Sequence, residues 1–276
     1  MNIVLAILGF LILSLVALRL WDERAERLER ARLASLQPAT PAFYAPDMVV
    51  DLPEPAQRFF NFAIKEGTPL LTVAEIKMEG EFSLGTRDKP NYRPMKAKQI
   101  LAAPVGFIWK LRLSGLMSVS GSDSGMWTRF YILGLIPVAR TGRNTNHARA
   151  AYGRYISEAI FWTPAVLLLR EGVVWELLGQ NTARVTITHN QLTQAVDIQV
   201  DTEGRLVSVS FMRWSDANPE KVYRLQPFGG YFSDFREVQG FRLPFKIEAG
   251  NMFGTDEYFA FFKSRVVTVR FPVSGV

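Results

Sequence analysis

The sequence predicts an α+β protein in which one antiparallel, β-rich domain follows an apolar N-terminal helix. Three observations predict it. Residues 3–18 (IVLAILGFLILSLVAL) are an unbroken apolar run. From Val73 onward apolar and polar residues alternate with period two, the pattern of strands with one buried face. No helix of crossover length separates the first of these strands from one another, so they pair antiparallel.

Extended through Leu20 and Trp21, past an Arg19 able to snorkel, the apolar run makes a helix of about 28 Å, enough to cross a bilayer core. A cleaved signal peptide is the competing reading. Neither Lys nor Arg precedes the run and no small-x-small site follows it, which favours an uncleaved transmembrane anchor over residues 1–21. Arg19, Arg24, Arg27, Arg30 and Arg32 follow the span, and the positive-inside rule then puts the domain in the cytoplasm. Residues 22–53 read as a charged juxtamembrane helix, with Glu23/Arg27 and Glu26/Arg30 at i,i+4, and a linker stiffened by Pro38, Pro41, Pro46 and Pro53. Residues 54–276 are then a single β-rich domain.

Residues 54–66 (EPAQRFFNFAIKE) have proline in the first turn and Phe59, Phe60, Phe62 and Ala63 available for packing, and Gly67 ends the helix. Strands are predicted from Val73, at 96–101, at 106–113 and at 125–132. The main internal helix is predicted over 147–169, interrupted at Pro164, with Ala151, Tyr155, Ala159 and Trp162 at helical spacing. Further strands follow at 173–178, 182–190, 194–201 and 205–213, then a hairpin at 231–250 and strands at 256–262 and 266–271.

Composition narrows the chemistry. The absence of cysteine excludes disulfides, thiolate metal sites and cysteine nucleophiles, and with His147 and His189 as the two histidines a histidine-rich metal site is not expected. The formal charge of +6 comes from basic residues interleaved with acidic ones, without a nucleic-acid-binding signature, so nucleic acid is not an expected partner. Gly-rich phosphate loops and nucleophile elbows are also missing, so neither a cofactor nor a catalytic group is assigned.

Two places carry candidate site residues. On the internal helix, Arg154 and Glu158 stand four residues apart among Tyr152, Tyr155, Phe161 and Trp162. They form either an ordinary i,i+4 salt bridge or the polar part of an aromatic-rimmed ligand site. In the hairpin, Phe241, Leu243, Phe245 and Ile247 alternate with polar residues, and Gln239-Gly240 supplies the turn. A two-residue turn pairs Val238 with Phe241, Arg236 with Leu243 and Asp234 with Phe245, which points Asp234 and Arg236 at the apolar side as a mutually satisfied pair lining a cavity. A β-bulge beside the turn slips the register by one and brings Phe235 and Tyr231 inward instead.

The runs Asp201-x-x-Gly-Arg-Leu-Val-x-Val209 and Phe232-Ser-Asp-Phe-Arg-Glu-Val-x-Gly-Phe-Arg-Leu-Pro244 resemble the C-terminal half of a bacterial domain family of unknown function. Further matches are Leu52-Pro53-x-Pro55, Gly106-Phe-Ile-Trp109, Leu133-Gly-Leu-Ile-Pro-Val-Ala139, Arg154-Tyr155-x-x-Glu158-Ala159 with Pro164, and Trp175-Glu176. Together they span residues 50–271. The strand–turn–strand segment is also similar to outer-membrane lipoprotein-sorting proteins. That resemblance implies a curved, half-barrel-like antiparallel sheet with helices packed on one face, a cavity for acyl chains, and a periplasmic location that opposes the arginine count.

The expected function is that of a non-catalytic domain anchored in the inner membrane, binding a membrane lipid or other apolar ligand between sheet and helix. A structural module that docks a membrane protein partner is the alternative, and an enzyme using Glu158 or Asp234 is third. A filled core marks the second, and a cavity where carboxylates converge marks the third.

Overall fold

The computed structural model describes residues 2–168 and 171–272. The long helix α1 (Asn2–Ala34) leads into α2 (Glu54–Ala63), six strands, α3 (Thr145–Trp162) and seven more strands. The first six are β1 (Ala74–Ser83), β2 (Tyr92–Ala102), β3 (Gly106–Leu113), β4 (Val119–Ser124), β5 (Trp127–Ile132) and β6 (Ile136–Gly142). The rest are β7 (Val173–Gly179), β8 (Thr182–His189), β9 (Leu192–Val200), β10 (Leu206–Ser215), β11 (Arg224–Val238), β12 (Phe241–Asn251) and β13 (Phe259–Arg270). All thirteen form one open, curved antiparallel sheet in the order β6-β5-β4-β3-β2-β1-β13-β12-β11-β10-β9-β8-β7. The last strand thus closes onto the first, and each half of the sheet is a meander of hairpins.

Helix α3 starts where Asn144 accepts a bond from the His147 backbone N–H at 2.8 Å and ends before Pro164, where a 3₁₀ turn (Pro164–Leu167) takes over. Leu169, the expected end of this helix, lies outside the described residues. With α2, α3 covers the inner face of the sheet. Phe60, Trp162, Phe107, Phe241 and Val185 are among the side chains of the main core there.

Two strands were not legible. β4 (VSGSDS) is composed of small polar residues, and β6 is an exposed edge strand in which Pro137 is tolerated because it withholds no bond from a central ladder. The two final strands predicted separately are one, β13, with the irregularity opposite Lys77/Met78.

The segment 22–53 is not a solvated helix and linker but part of the fold. The polar half of α1 crosses the outer face of β1–β6, opposite the main core. There Leu33 packs with Ile100, Ile108, Val73 and Trp127. Glu26 meets Lys110 at 2.9 Å and Arg30 meets Glu75 at 3.8 Å, while Glu23 pairs back to Arg19. These partners replace the expected Glu23/Arg27 and Glu26/Arg30 pairs because the sheet offers opposite charges at the helix face. Helices α2 and α3 thus share the inner face, and the N-terminal helix that precedes them docks on the outer one. Past α1, Tyr44, Val49 and Leu52 are buried in the main core, and Gln37 binds the backbone of Thr72 and Val73.

Asp22 is the deepest ionic contact of α1. Its carboxylate, 6 % exposed, takes Arg129 at 2.9 Å together with Arg140 and the Tyr131 hydroxyl. Burial pushes its pKa up, but the bonds from Arg140 and Tyr131 and the charge of Arg129 outweigh that and hold the carboxyl below its ordinary range.

Candidate ligand-binding cavity

Between α3 and the concave face of the sheet lies a cavity of about 590 Å³. Its walls are the inward residues of strands from both halves: Met78, Phe82, Leu111, Val209, Phe228 and Ile247 among them, with Phe161 and Trp162 from α3. Gly229 and Gly230 leave bare backbone in the wall of β11. The lining reaches half-exposed Leu84 and Val138 at the end of the sheet that carries the β3–β4 loop and the β5–β6 turn.

Polar groups gather on one wall. Arg154 is the hub. Its Nη1 donates to Asp123 Oδ2 at 2.8 Å and its Nε to Glu158 Oε1 at 2.9 Å. Asp123 also accepts from the Thr128 hydroxyl at 2.5 Å, and Glu158 from the Gln99 amide. The Arg154 guanidinium stacks 4.6 Å over Trp109 and 4.9 Å over Phe107. Burial alone would lower its pKa, but the two carboxylates more than reverse that and raise it, so the side chain is a fixed cation. The i,i+4 pair is therefore real but is only part of a three-way bridge between α3 and β4.

A second guanidinium, Arg213 on β10, lies over Phe228 at 4.9 Å and has no hydrogen-bond or ion-pair partner among the described residues. Burial, with the like charge of Arg154, pulls it down to about 10. His147, in the first turn of α3, sits with Nε2 3.2 Å from the Thr128 hydroxyl. Burial pulls its pKa below the usual 6.5, with Asp123 opposing.

That shift has a testable sign. The unfolded chain takes up the His147 proton more readily than the folded one, so the stabilisation is fully present above about pH 6.5 and is lost as pH falls below it. Urea midpoints measured between pH 8 and 5 are expected to fall, and His147→Gln to flatten the slope. An unchanged slope in the variant refutes a buried neutral imidazole.

Of the predicted site residues, Arg154, Glu158 and Trp162 line the cavity, and Asp234 and Arg236 do not. The hairpin turn is the two-residue kind, with Val238 opposite Phe241, Arg236 opposite Leu243 and Ser233 opposite Lys246 without a slip. Alternation breaks because Asp234 adopts a left-handed backbone, φ 57°. Phe232 therefore lines the cavity and Phe235 packs 5.4 Å from Phe62, while Asp234 and Arg236 face solvent as a hydrogen-bonded pair. Neither the inward charged pair nor the slipped register holds. Tyr231, inward in the slipped register, is exposed against Phe253 and Tyr258.

Sequence reasoning missed Gln99, Asp123, Thr128 and Arg213. The signal for two of them was present. Arg213 shares the parity of Val209 and Phe211, and Gln99 that of Leu101, so each is a polar group on an apolar strand face.

Fold and cavity together define an α+β protein in which an open antiparallel sheet and a helix enclose an aromatic-walled pocket. The chain belongs to the family of unknown function DUF6544, which it matches over residues 42–264. Among curated proteins, none matches the chain. Among solved structures it is similar to a LolA superfamily protein from Nitrosomonas europaea (TM-score 0.42, 10 % identity, 79 % of this chain and 92 % of that one). It is also similar to a putative outer membrane lipoprotein-sorting protein domain from Vibrio parahaemolyticus (0.36, 12 %, 74 % and 87 %). A DUF1329 family protein from Desulfovibrio piger is a third (0.34, 9 %, 74 % and 88 %).

Proposed function

We propose that this protein is an inner-membrane, single-pass binding protein that takes a lipid or other apolar ligand into the cavity between sheet and α3. The observation that carries the reading is the cavity itself: about 590 Å³, within the range of small-molecule pockets, walled by aliphatic and aromatic side chains and polar on one wall alone. A domain serving only as a docking module has no need of that volume in its core. The carboxylates do converge, as an enzyme would require, but each is already committed: Asp123 to Arg154 and Thr128, Glu158 to Arg154 and Gln99. A proton-transferring carboxyl needs a free oxygen facing substrate.

The anchor supports the same reading. Residues from Ile3 onward form a helix long and apolar enough to cross a membrane. Its polar half is fixed to the sheet, Leu33 near Gly106 and Arg19 4.6 Å from the Tyr131 ring. The apolar half therefore projects past the sheet end that displays exposed Leu116, Met117, Leu133 and Ile136. Leu84 and Val138 of the cavity lining lie at that end, beside the bilayer in which α1 is embedded. A C-terminal reporter fusion that is active on only one side of the membrane assigns the side.

Lipid extraction and mass spectrometry of the purified full chain are expected to find a bound amphiphile, and a photoactivatable fatty acid to label the cavity wall. Ala249→Trp, which puts an indole into the cavity, is expected to reduce labelling at least about tenfold while leaving the fold intact. Absence of both lipid and labelling in the native chain overturns the proposal.

A further inference from the structure

The cavity holds two buried side-chain nitrogens without a hydrogen-bond partner, Arg213 Nε and Trp109 Nε1. Both are donors. No side-chain acceptor in the lining is buried and unpartnered among the described residues, since the carboxylates of Asp123 and Glu158 are held by Arg154 and its neighbours. Unsatisfied buried donors are costly. The imbalance has a definite chemical complement, a hydrogen-bond acceptor, and the acceptor a guanidinium binds most strongly is an anionic one.

We propose that the ligand is an anionic amphiphile, whose carboxylate or phosphate head is bound by Arg213, with its chain along the apolar wall of Phe82, Leu111 and Ile247. The proposal rests on the binding reading above and names the head group. A guanidinium offers a planar fork of donors that meets either anion bidentately, and that of Arg213 lies 4.9 Å over Phe228 with its Nε–H unpartnered among the described residues. The position of Arg154 strengthens the case. Its guanidinium is taken up by two carboxylates at 2.8 and 2.9 Å, whereas Arg213, within the field of the same carboxylates, makes no direct ion pair and keeps its donors for a ligand. Burial first, and then the like charge of Arg154, lowers the pKa of Arg213 against the pull of Asp123, Glu158 and Asp216, and the group is still charged at neutral pH.

The test uses the full chain in phosphatidylcholine nanodiscs, labelled with a photoactivatable palmitate and, separately, with its methyl ester. Oleate, 1-oleoyl-lysophosphatidate and 1-oleoylglycerol serve as competitors. Native protein is expected to label with the acid at least about tenfold more than with the ester, the scale of one charge-assisted contact. Arg213→Gln is expected to erase that preference by lowering acid labelling alone, and Arg213→Lys to retain most of it. Because Arg213 bonds to no other side chain among the described residues, both variants should fold, which their melting temperatures verify. Stronger competition by oleate assigns a carboxylate and stronger competition by lysophosphatidate a phosphate. Equal labelling by acid and ester, or a preference that survives Arg213→Gln, overturns the head-group assignment while the binding function stands. Failure of both probes to label overturns the binding function itself.

Discussion

Asp22→Ala is expected to release the polar half of α1 from the sheet at a cost of about 3 kcal/mol, the scale of removing one partner from a buried ion pair. The carboxylate is 6 % exposed, accepts from Arg140 and Tyr131, and is the ion-pair partner of Arg129. Without it two guanidiniums on neighbouring strands are left facing each other beneath the helix. Leu33 and its small cluster at the far end of the docked segment are too few to hold the helix alone. Hydrogen exchange across residues 22–34 should then accelerate, and trypsin should cut at Arg24 and Arg27, while amides of β10–β12 remain protected. Unchanged exchange in that segment would show that the apolar contacts suffice. Asp22→Asn keeps the shape and loses the charge, and is expected to fall between. Under the proposed function the consequence is positional: a loosely tethered domain would no longer present its cavity to the bilayer in one orientation.

This docking was hard to read in advance because α1 looks like a generic charged helix, with i,i+4 pairs sufficient to satisfy it alone. The sign lay elsewhere. Ile100-Leu101-Ala102 and Phe107-Ile108-Trp109 are apolar on both strand faces, and a strand of that kind is covered on both sides. The antiparallel sheet, α2, and α3 stopping at Pro164 were legible because period and punctuation are local properties. The 37–53 segment was not, since four prolines describe the stiffness of a chain and not what it packs against. Much of the cavity wall follows from strand parity, as Arg213 and Gln99 show. Asp123 does not, because the surrounding Val-Ser-Gly-Ser-Asp-Ser has no apolar alternation to place it. The hairpin failed for a third reason. Register arithmetic assumes that every residue stays extended, and a single left-handed residue at Asp234 reverses the faces beyond it.

Arg154→Met is expected to be the most destabilising change in the cavity wall, again by about 3 kcal/mol, because it strands two partly buried carboxylates. Asp123 and Glu158 would then repel each other across the space the guanidinium occupied. The companion triple change, Asp123→Leu, Arg154→Met and Glu158→Leu, carries the opposite expectation. Burying three charges costs desolvation that their mutual attraction barely repays, so an apolar wall of similar volume should restore the native melting temperature or exceed it. If stability were the purpose of the cluster, the triple variant would be the worst of the set. A triple variant that folds well yet no longer distinguishes the photoactivatable acid from its ester would mean that the triad serves recognition, holding Trp109 and the charge beside Arg213 in place. A triple variant less stable than Arg154→Met alone would return the cluster to an ordinary structural bridge.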